Sequence, residues 1–384
     1  MKNLPYLKYP FLLITVVALS ILSCGGKDNP PPAPPVDPPE EPQTGVVDEL
    51  VYQFMGKNQV PGITLAVAKD GKLIYTKAYG FADSESGERM TTDTRSRISS
   101  ISKTVTSIAI MTMLEEGLLT LDDKIFGPGA ILEDDFGTVR PYRQYITDLT
   151  VKHCLSHHVG GWGNASNDPT MMKNELNNRD LISYIIDNVA LDSKPGLSYT
   201  YSNVGFMILG RVIEKISGKS YEEYVRDKIL IPIGITDMVI GGNTLADRKE
   251  NESRYHNPTA YTRNFSRRDA NGGWIATASD MAKLFVRIDG NSYVPDILSS
   301  ATLQTMTTPP FSYNGYALGL TVSGSTWSHG GSFNGSNSQW IRTGSGFVAV
   351  ILFNGDCSNY KKLLEDIIAA PITWPNHDLF TKFE

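Results

Sequence analysis

The chain has 384 residues, 41% of them hydrophobic and 20% charged, which is ordinary globular usage and ample for a large core in one or two domains. The net charge of −6 is mild and no block of basic residues appears, so nucleic acid is excluded as an expected partner.

Lys2 and Lys8 precede an apolar run over 11–22, too short to span a bilayer and suited to the h-region of a secretory signal. The run ends in Ile21-Leu-Ser-Cys24, which resembles a bacterial lipoprotein box. That resemblance implies cleavage before Cys24 and lipidation of its thiol; the alternative is an ordinary signal with an incidental cysteine. A proline-rich run over 30–42 follows and should form an extended tether. Lys27-Asp28 resembles the surface-export signal of some Bacteroidetes lipoproteins. Residues 1–23 are thus expected to be a signal peptide, 24–45 a lipidated linker, and 46–375 a folded domain. The domain would be held at a membrane as an envelope lipoprotein, facing the periplasm or the cell surface, with the outer membrane favoured.

Residues 46–59 predict a first helix, with Val47, Leu50, Val51 and Phe54 at helical spacing, broken by Pro61-Gly62. Residues 63–68 and 73–79 predict two strands joined by Lys69-Asp-Gly-Lys72, a hairpin signal. A largely buried helix with Val105, Ile108, Ala109, Met111, Met113 and Leu114 follows Ser100 and stops at Gly117. Residues 118–240 read as mostly helical, with an amphipathic helix over 204–216 ended by Gly218 and another over 221–229. Residues 319–322, 338–341 and 347–353 predict strands, and 363–370 a closing helix. The expected fold is α/β of the α+β type, an antiparallel sheet flanked by helices. A sheet lobe of about 46–112 and 272–375 would carry an inserted, mostly helical lobe of about 113–271, with a cleft where they meet.

Ser100-Ile-Ser-Lys103 places a hydroxyl and an amine on one face of a helix. A serine needs a neighbouring base to act as a nucleophile, and a lysine desolvated in a cleft can supply one. The pattern recurs at Ser358-Asn-Tyr-Lys361, so it decides nothing alone. Tyr201-Ser-Asn203 presents a phenol and an amide just before a helix, and a tyrosine beside cationic lysines loses its proton more easily and can act as a base. Tyr255-His-Asn257 is a second copy of that spacing. His329-Gly-Gly-Ser332 lies between strand-like segments, where glycines let a ligand or another backbone approach an edge strand.

In this order the three elements resemble the serine β-lactamase and penicillin-binding protein superfamily, most nearly its class C β-lactamase, DD-peptidase and esterase branch. Arg97-Ile-Ser-Ser-Ile-Ser-Lys103 is similar to the family's nucleophile segment, Leu149 through Gly160 to its Thr-Val-x-x-Leu-Leu-x-His-x-Ser-Gly block, and Gly272 through Ala282 to its Gly-Gly-x-x-Ser-Thr-Ala-x-Asp-Met-Ala segment. The likeness spans about 46–371 and implies a β-lactamase/transpeptidase-like fold. It also implies an acyl-enzyme on Ser100, with proton transfer shared by Lys103 and Tyr201. Asn203 would bond Lys103 and the substrate. His329, Gly330 and Gly331 would line the substrate strand, and the N–H groups of Ser100 and Ser332 would form the oxyanion hole. No cofactor and no metal are implied.

His329 departs from the family's lysine at that place. A lysine is a lasting cation for a substrate carboxylate, whereas a histidine is mostly neutral at pH 7, so β-lactam hydrolysis as the main role is disfavoured. The resemblance implies a small-molecule or peptide substrate, with peptidoglycan fragments among the candidates. The alternatives are a non-hydrolytic ligand-binding protein on the same scaffold and a true β-lactamase. His153, His157 and His158 have spacing that could hold zinc, but no third ligand is evident; the resemblance makes His157 structural. Trp162 and Trp274 are readable as pocket or core, and Cys154 and Cys357 as a disulfide or as two thiols.

Overall fold

The computed structural model describes residues 44–165, 167–311 and 315–380. The apolar run over 11–22, Cys24, Lys27-Asp28 and the proline-rich run lie outside the described residues. The chain opens with α1 (Gly45–Asn58), β1 (Gly62–Lys69), β2 (Lys72–Asp83), β3 (Glu88–Arg89) and β4 (Ser96–Arg97). A 3-10 turn over Ser99–Ile101 leads into α2 (Ser102–Glu115). The middle carries α3 (Val151–Leu155), α4 (Asn178–Asn188), α5 (Asn203–Ser217), α6 (Tyr221–Val225), β5 (Val239–Ile240), α7 (Asp269–Gly272), β6 (Trp274–Ala276), α8 (Ala278–Phe285) and α9 (Ser300–Thr307). β7 (Thr321–Ser323), β8 (Thr326–Phe333), β9 (Ser336–Arg342), β10 (Phe347–Phe353) and α10 (Tyr360–Ile368) complete it.

Both ends of the chain enter one antiparallel sheet, in the order β3-β2-β1-β10-β9-β8-β7, with Ile63 opposite Phe353 where β1 meets β10. The two-residue alternation of strands divides the central side chains between two cores. Ile63, Leu65, Val67, Ala349, Ile351 and Phe353 face the helices α1 and α10, with Val47, Val51, Leu364 and Ile367. Ala66, Ala68, Val348, Val350 and Leu352 belong to the opposite core, with α2, α5 and α8. A sheet covered on both sides explains why β10 is apolar at every position rather than alternating.

The hairpin forms as its turn demands: Asp70 (φ 51°) and Gly71 (φ 78°) both take the left-handed region of a two-residue turn. Gly117 and Gly218 end α2 and α5 in the same conformation. Two expectations need correction. The helix beginning at Tyr221 passes after Val225 into a π-turn over Arg226–Leu230, just before Pro232, which has no N–H to extend it. The His329-Gly-Gly segment lies in a strand, but that strand, β8, is next to last in the sheet and not its edge. The sequence reading also missed a second sheet, β4-β6-β5, made of strands of two or three residues.

Both tryptophans are core residues: Trp162 donates from Nε1 to the Val189 carbonyl (2.9 Å) and Trp274 to the Tyr221 hydroxyl (2.9 Å). Cys154 and Cys357 are free thiols. Ile351→Ala in β10 should cost about 2–5 kcal/mol in urea denaturation, because it opens a cavity between sheet and helices. Lys361→Ala, which removes an exposed pair with Glu365 inside α10, should change stability by no more than about 0.5 kcal/mol; equal losses for the two would contradict the assigned packing.

Candidate active site

The segment before α2 is held from two sides. The Ile98 N–H donates to the Trp274 carbonyl on β6 (3.0 Å), and the Ile98 carbonyl accepts from Ser338 Oγ on β9 (2.7 Å). Ser99 is forced to φ 48°, an uncommon conformation for a residue with a side chain, and its hydroxyl pairs with that of Ser336 (3.2 Å). This sharp turn leaves Ser100 half-exposed between buried neighbours.

One helical turn on, Lys103 is fully buried. Its Nζ donates to Ser100 Oγ (3.1 Å) and to the main-chain carbonyl of Asn271 at the end of α7 (2.7 Å), and lies 5.0 Å from the centre of the Tyr201 ring. Burial drives the Lys103 amine well below its ordinary pKa, with the nearby Arg268 charge acting in the same direction. Burial pushes the Tyr201 phenol the other way, upward, against a hydrogen bond from the Ser100 hydroxyl that opposes the rise. Burial thus shifts the pair away from a cationic lysine beside an easily ionised tyrosine and toward an uncharged amine beside an un-ionised phenol. A free amine lone pair next to a serine hydroxyl is a competent proton acceptor.

Tyr201 and Asn203 come from the start of α5, where Ser202 caps the helix by accepting from the Gly205 N–H. His157 lies against the Tyr201 ring at 4.0 Å between centroids. The Ser202 N–H donates to His157 Nδ1 (3.1 Å), so the proton of that neutral ring is on Nε2. Asn203 does not bond Lys103 as the resemblance implied. Its Nδ2 donates to Asp168 Oδ2 (2.6 Å), because Asp168 caps a short turn whose loop leans over the site, and Lys103 is already committed to Ser100 and Asn271.

β8 pairs with β9 over Trp327–Phe333 but with β7 only over Thr326–Ser328, so from His329 onward its other side faces the Ser99–Ile101 turn instead of a strand. Gly331 is dictated by that approach: a Cβ there would stand 2.2 Å from Ser338 Oγ and 2.4 Å from the Ile98 carbonyl oxygen. Ser332 is the exposed position near the end of the strand. His329 is buried; its Nδ1 must carry the proton, since it pairs with the Gly330 carbonyl (2.6 Å), so Nε2 accepts from the Tyr316 hydroxyl (3.0 Å). Burial, with a smaller contribution from Lys103, lowers the His329 pKa to about 3.

Sequence reasoning missed Asn271, Tyr316, Asp168, Thr170 and Arg268. All five lie in or beside loops without periodic pattern, and nothing local marks them. The competing motifs fall away. Lys361 pairs with Glu365 on an exposed face, and the Tyr255 hydroxyl is buried against Glu252 (2.8 Å). His153 closes a capping box on α3, and His158 pairs with the Ser156 carbonyl and packs on Phe311. A separate cavity of about 400 Å³, lined by Arg95, Asp237, Asp280 and Lys283 among others, includes none of the residues around Ser100.

The buried, neutral His329 has a thermodynamic consequence. Between its ordinary pKa of 6.5 and about 3, the unfolded chain binds a proton that the folded state does not, so acidification through this window destabilises the fold. His329→Gln should flatten the acid limb of the stability profile, by at most about 1.4 kcal/mol per pH unit. Urea denaturation of both proteins between pH 7 and pH 4 measures this; parallel slopes would show that His329 titrates normally.

A family model described as Beta-lactamase matches residues 47–370. Protein flp of Staphylococcus aureus is 26% identical over 192 residues, covering 50% of this chain and 37% of that protein; the chain therefore matches well under half of that relative's length. The octameric penicillin-binding protein homologue from Pyrococcus abyssi superposes with a TM-score of 0.69 at 24% identity, covering 85% of this chain and 77% of that one. The D-amino acid amidase from Ochrobactrum anthropi SV3, complexed with L-phenylalanine, superposes at 0.66 and 21% identity, covering 85% and 97%. At these identities the solved structures speak to fold alone, whereas the family match extends over nearly all of the described residues: the chain belongs to the beta-lactamase family.

Proposed function

We propose that the chain is a serine hydrolase that cleaves an amide or ester through an acyl-enzyme on Ser100. The observation that carries this reading is the buried Lys103 amine, driven toward its neutral form and hydrogen-bonded to the Ser100 hydroxyl. A protein that only bound ligands on this scaffold would gain nothing from so costly a burial.

In the proposed sequence, Ser100 Oγ attacks the carbonyl carbon as its proton passes to Lys103 Nζ. The oxyanion accepts from the N–H groups of Ser100 and Ser332, the type of stabilisation that is commonly the largest single contribution to such a reaction. The proton then returns through the Tyr201 hydroxyl to the leaving nitrogen or oxygen as its bond to carbon breaks. Water attacks the acyl-enzyme by the same route in reverse, releasing the acid and restoring Ser100.

The leaving-group side is neutral. His329 is uncharged and its Nε2 is occupied by Tyr316, so no cation stands on β8 to hold a leaving-group carboxylate. This favours an ester or a simple amide over a β-lactam or a carboxylate-terminated peptide, in keeping with the amidase among the similar structures.

A fluorophosphonate probe should label the intact protein and not Ser100→Ala, while Lys103→Ala should lower kcat by roughly 10²- to 10⁴-fold. Absence of labelling in folded wild-type protein would reject the hydrolase reading. Against a parallel panel of p-nitrophenyl esters, amino-acid amides, D-Ala-D-Ala peptides and a chromogenic cephalosporin, the esters and amides should give the higher kcat/KM. The reverse order would show that the neutral leaving-group side does not govern specificity.

A further inference from the structure

Most buried guanidinium groups in this molecule are well supplied with acceptors. Arg211 pairs with Glu214 and Asp269; Arg267 donates to the carbonyls of Thr170, Met172, Lys173 and Leu176. Arg268 is not. It is only 5% exposed, yet its Nη1 reaches nothing better than Thr170 Oγ1 (3.2 Å) and Met171 Sδ (3.5 Å). Its Nε is buried with no acceptor, and among the described residues the group forms no ion pair and its Nη2 no hydrogen bond. The carboxylate whose field acts on it is Asp168, whose two oxygens already accept from Asn203 Nδ2 (2.6 Å) and from Thr170 N–H (2.9 Å) and Oγ1 (2.8 Å). A guanidinium does not shed its proton, so this charge stays buried and short of partners. Such a site is costly when empty and strongly favourable when a planar anion fills it.

Its place in the site says which part of a substrate it meets. A Cβ on Gly272 would stand 3.5 Å from Arg268 Nε and 3.8 Å from the Ser99 carbonyl carbon, so one small residue separates the guanidinium from the nucleophile's turn. The group also packs over the Phe333 ring (5.0 Å), one residue beyond Ser332 on β8. His329 and Tyr316 lie in the other direction along the strand, and the Tyr201 ring faces both, at 6.3 Å and 6.2 Å. The proton donor must face the departing group, so the leaving group exits toward His329 and the acyl portion extends toward Phe333.

We propose that Arg268 is a specificity-determining residue that receives a carboxylate carried on the acyl portion of the substrate. This rests on the hydrolase reading for the direction of the substrate, though not for the existence of the anion site. Mono-p-nitrophenyl esters of succinate and glutarate, compared with p-nitrophenyl butyrate, test it. The anionic esters should have the higher kcat/KM in wild-type protein, and Arg268→Met should reduce the anionic-to-neutral ratio by roughly ten- to a hundredfold. A wild-type ratio at or below one, or a ratio unchanged by Arg268→Met, overturns the proposal. If Arg268→Met does not fold, Arg268→Lys serves, since it keeps the charge but loses the fork and should still lower the ratio. If no ester is turned over and Ser100 does not label, the hydrolase reading fails by itself, and calorimetric titration of the intact protein with glutarate then decides. Binding that the Arg268 variant abolishes supports the anion site, and no binding rejects it.

Discussion

A lysine amine buried with no ion pair among the described residues is the constraint on which the site depends. Lys103 sits in the middle of the molecule on α2, where a charged ammonium would be desolvated with only a hydroxyl and a carbonyl in reach. The fold resolves that conflict by favouring the uncharged amine. Much of the surrounding structure serves to hold this arrangement. β6 and β9 pin the turn before Ser100, α7 ends where its Asn271 carbonyl meets Nζ, and α5 begins where Tyr201 can lie beside both.

The same low-dielectric setting spreads to the neighbours. His157 and His329 are each locked into one neutral form by a main-chain partner, and each lies in a cluster of aromatic rings that includes Tyr201 and Tyr316. The family's cation on the substrate strand is thus exchanged for an uncharged ring bonded to a phenol. The anion site proposed at Arg268 would supply positive charge at another place near the Ser99–Ile101 turn, where it would meet a different part of a substrate.

Much of the scaffold was legible in the residues. Asp70-Gly71 suits a two-residue turn because both positions take positive φ, Gly218 ends α5 for the same reason, and the apolar 347–353 stretch forms a strand with those bounds. The π-turn after α6 and the small β4-β6-β5 sheet were not legible, since strands of two or three residues are too short to carry a period. The copies of the motifs illustrate the limit. Ser358 and Lys361 have the spacing of Ser100 and Lys103, but their segment begins an exposed helix, where the amine finds Glu365 and stays solvated.

By itself the sequence determined which residues were capable of the chemistry: a serine three positions before a lysine at the head of a buried helix, a tyrosine before a second helix, and a histidine where a lysine is usual. Those follow from local spacing and from helix and strand periodicity, which are properties of neighbouring residues. Tertiary structure decided their charge states and partners. Burial lowered the pKa of Lys103 and raised that of Tyr201, a loop more than thirty residues away in sequence claimed Asn203 through Asp168, and Arg268 was left with few acceptors. Charge state depends on what surrounds a group in three dimensions, and that is set by segments whose approach no local pattern encodes.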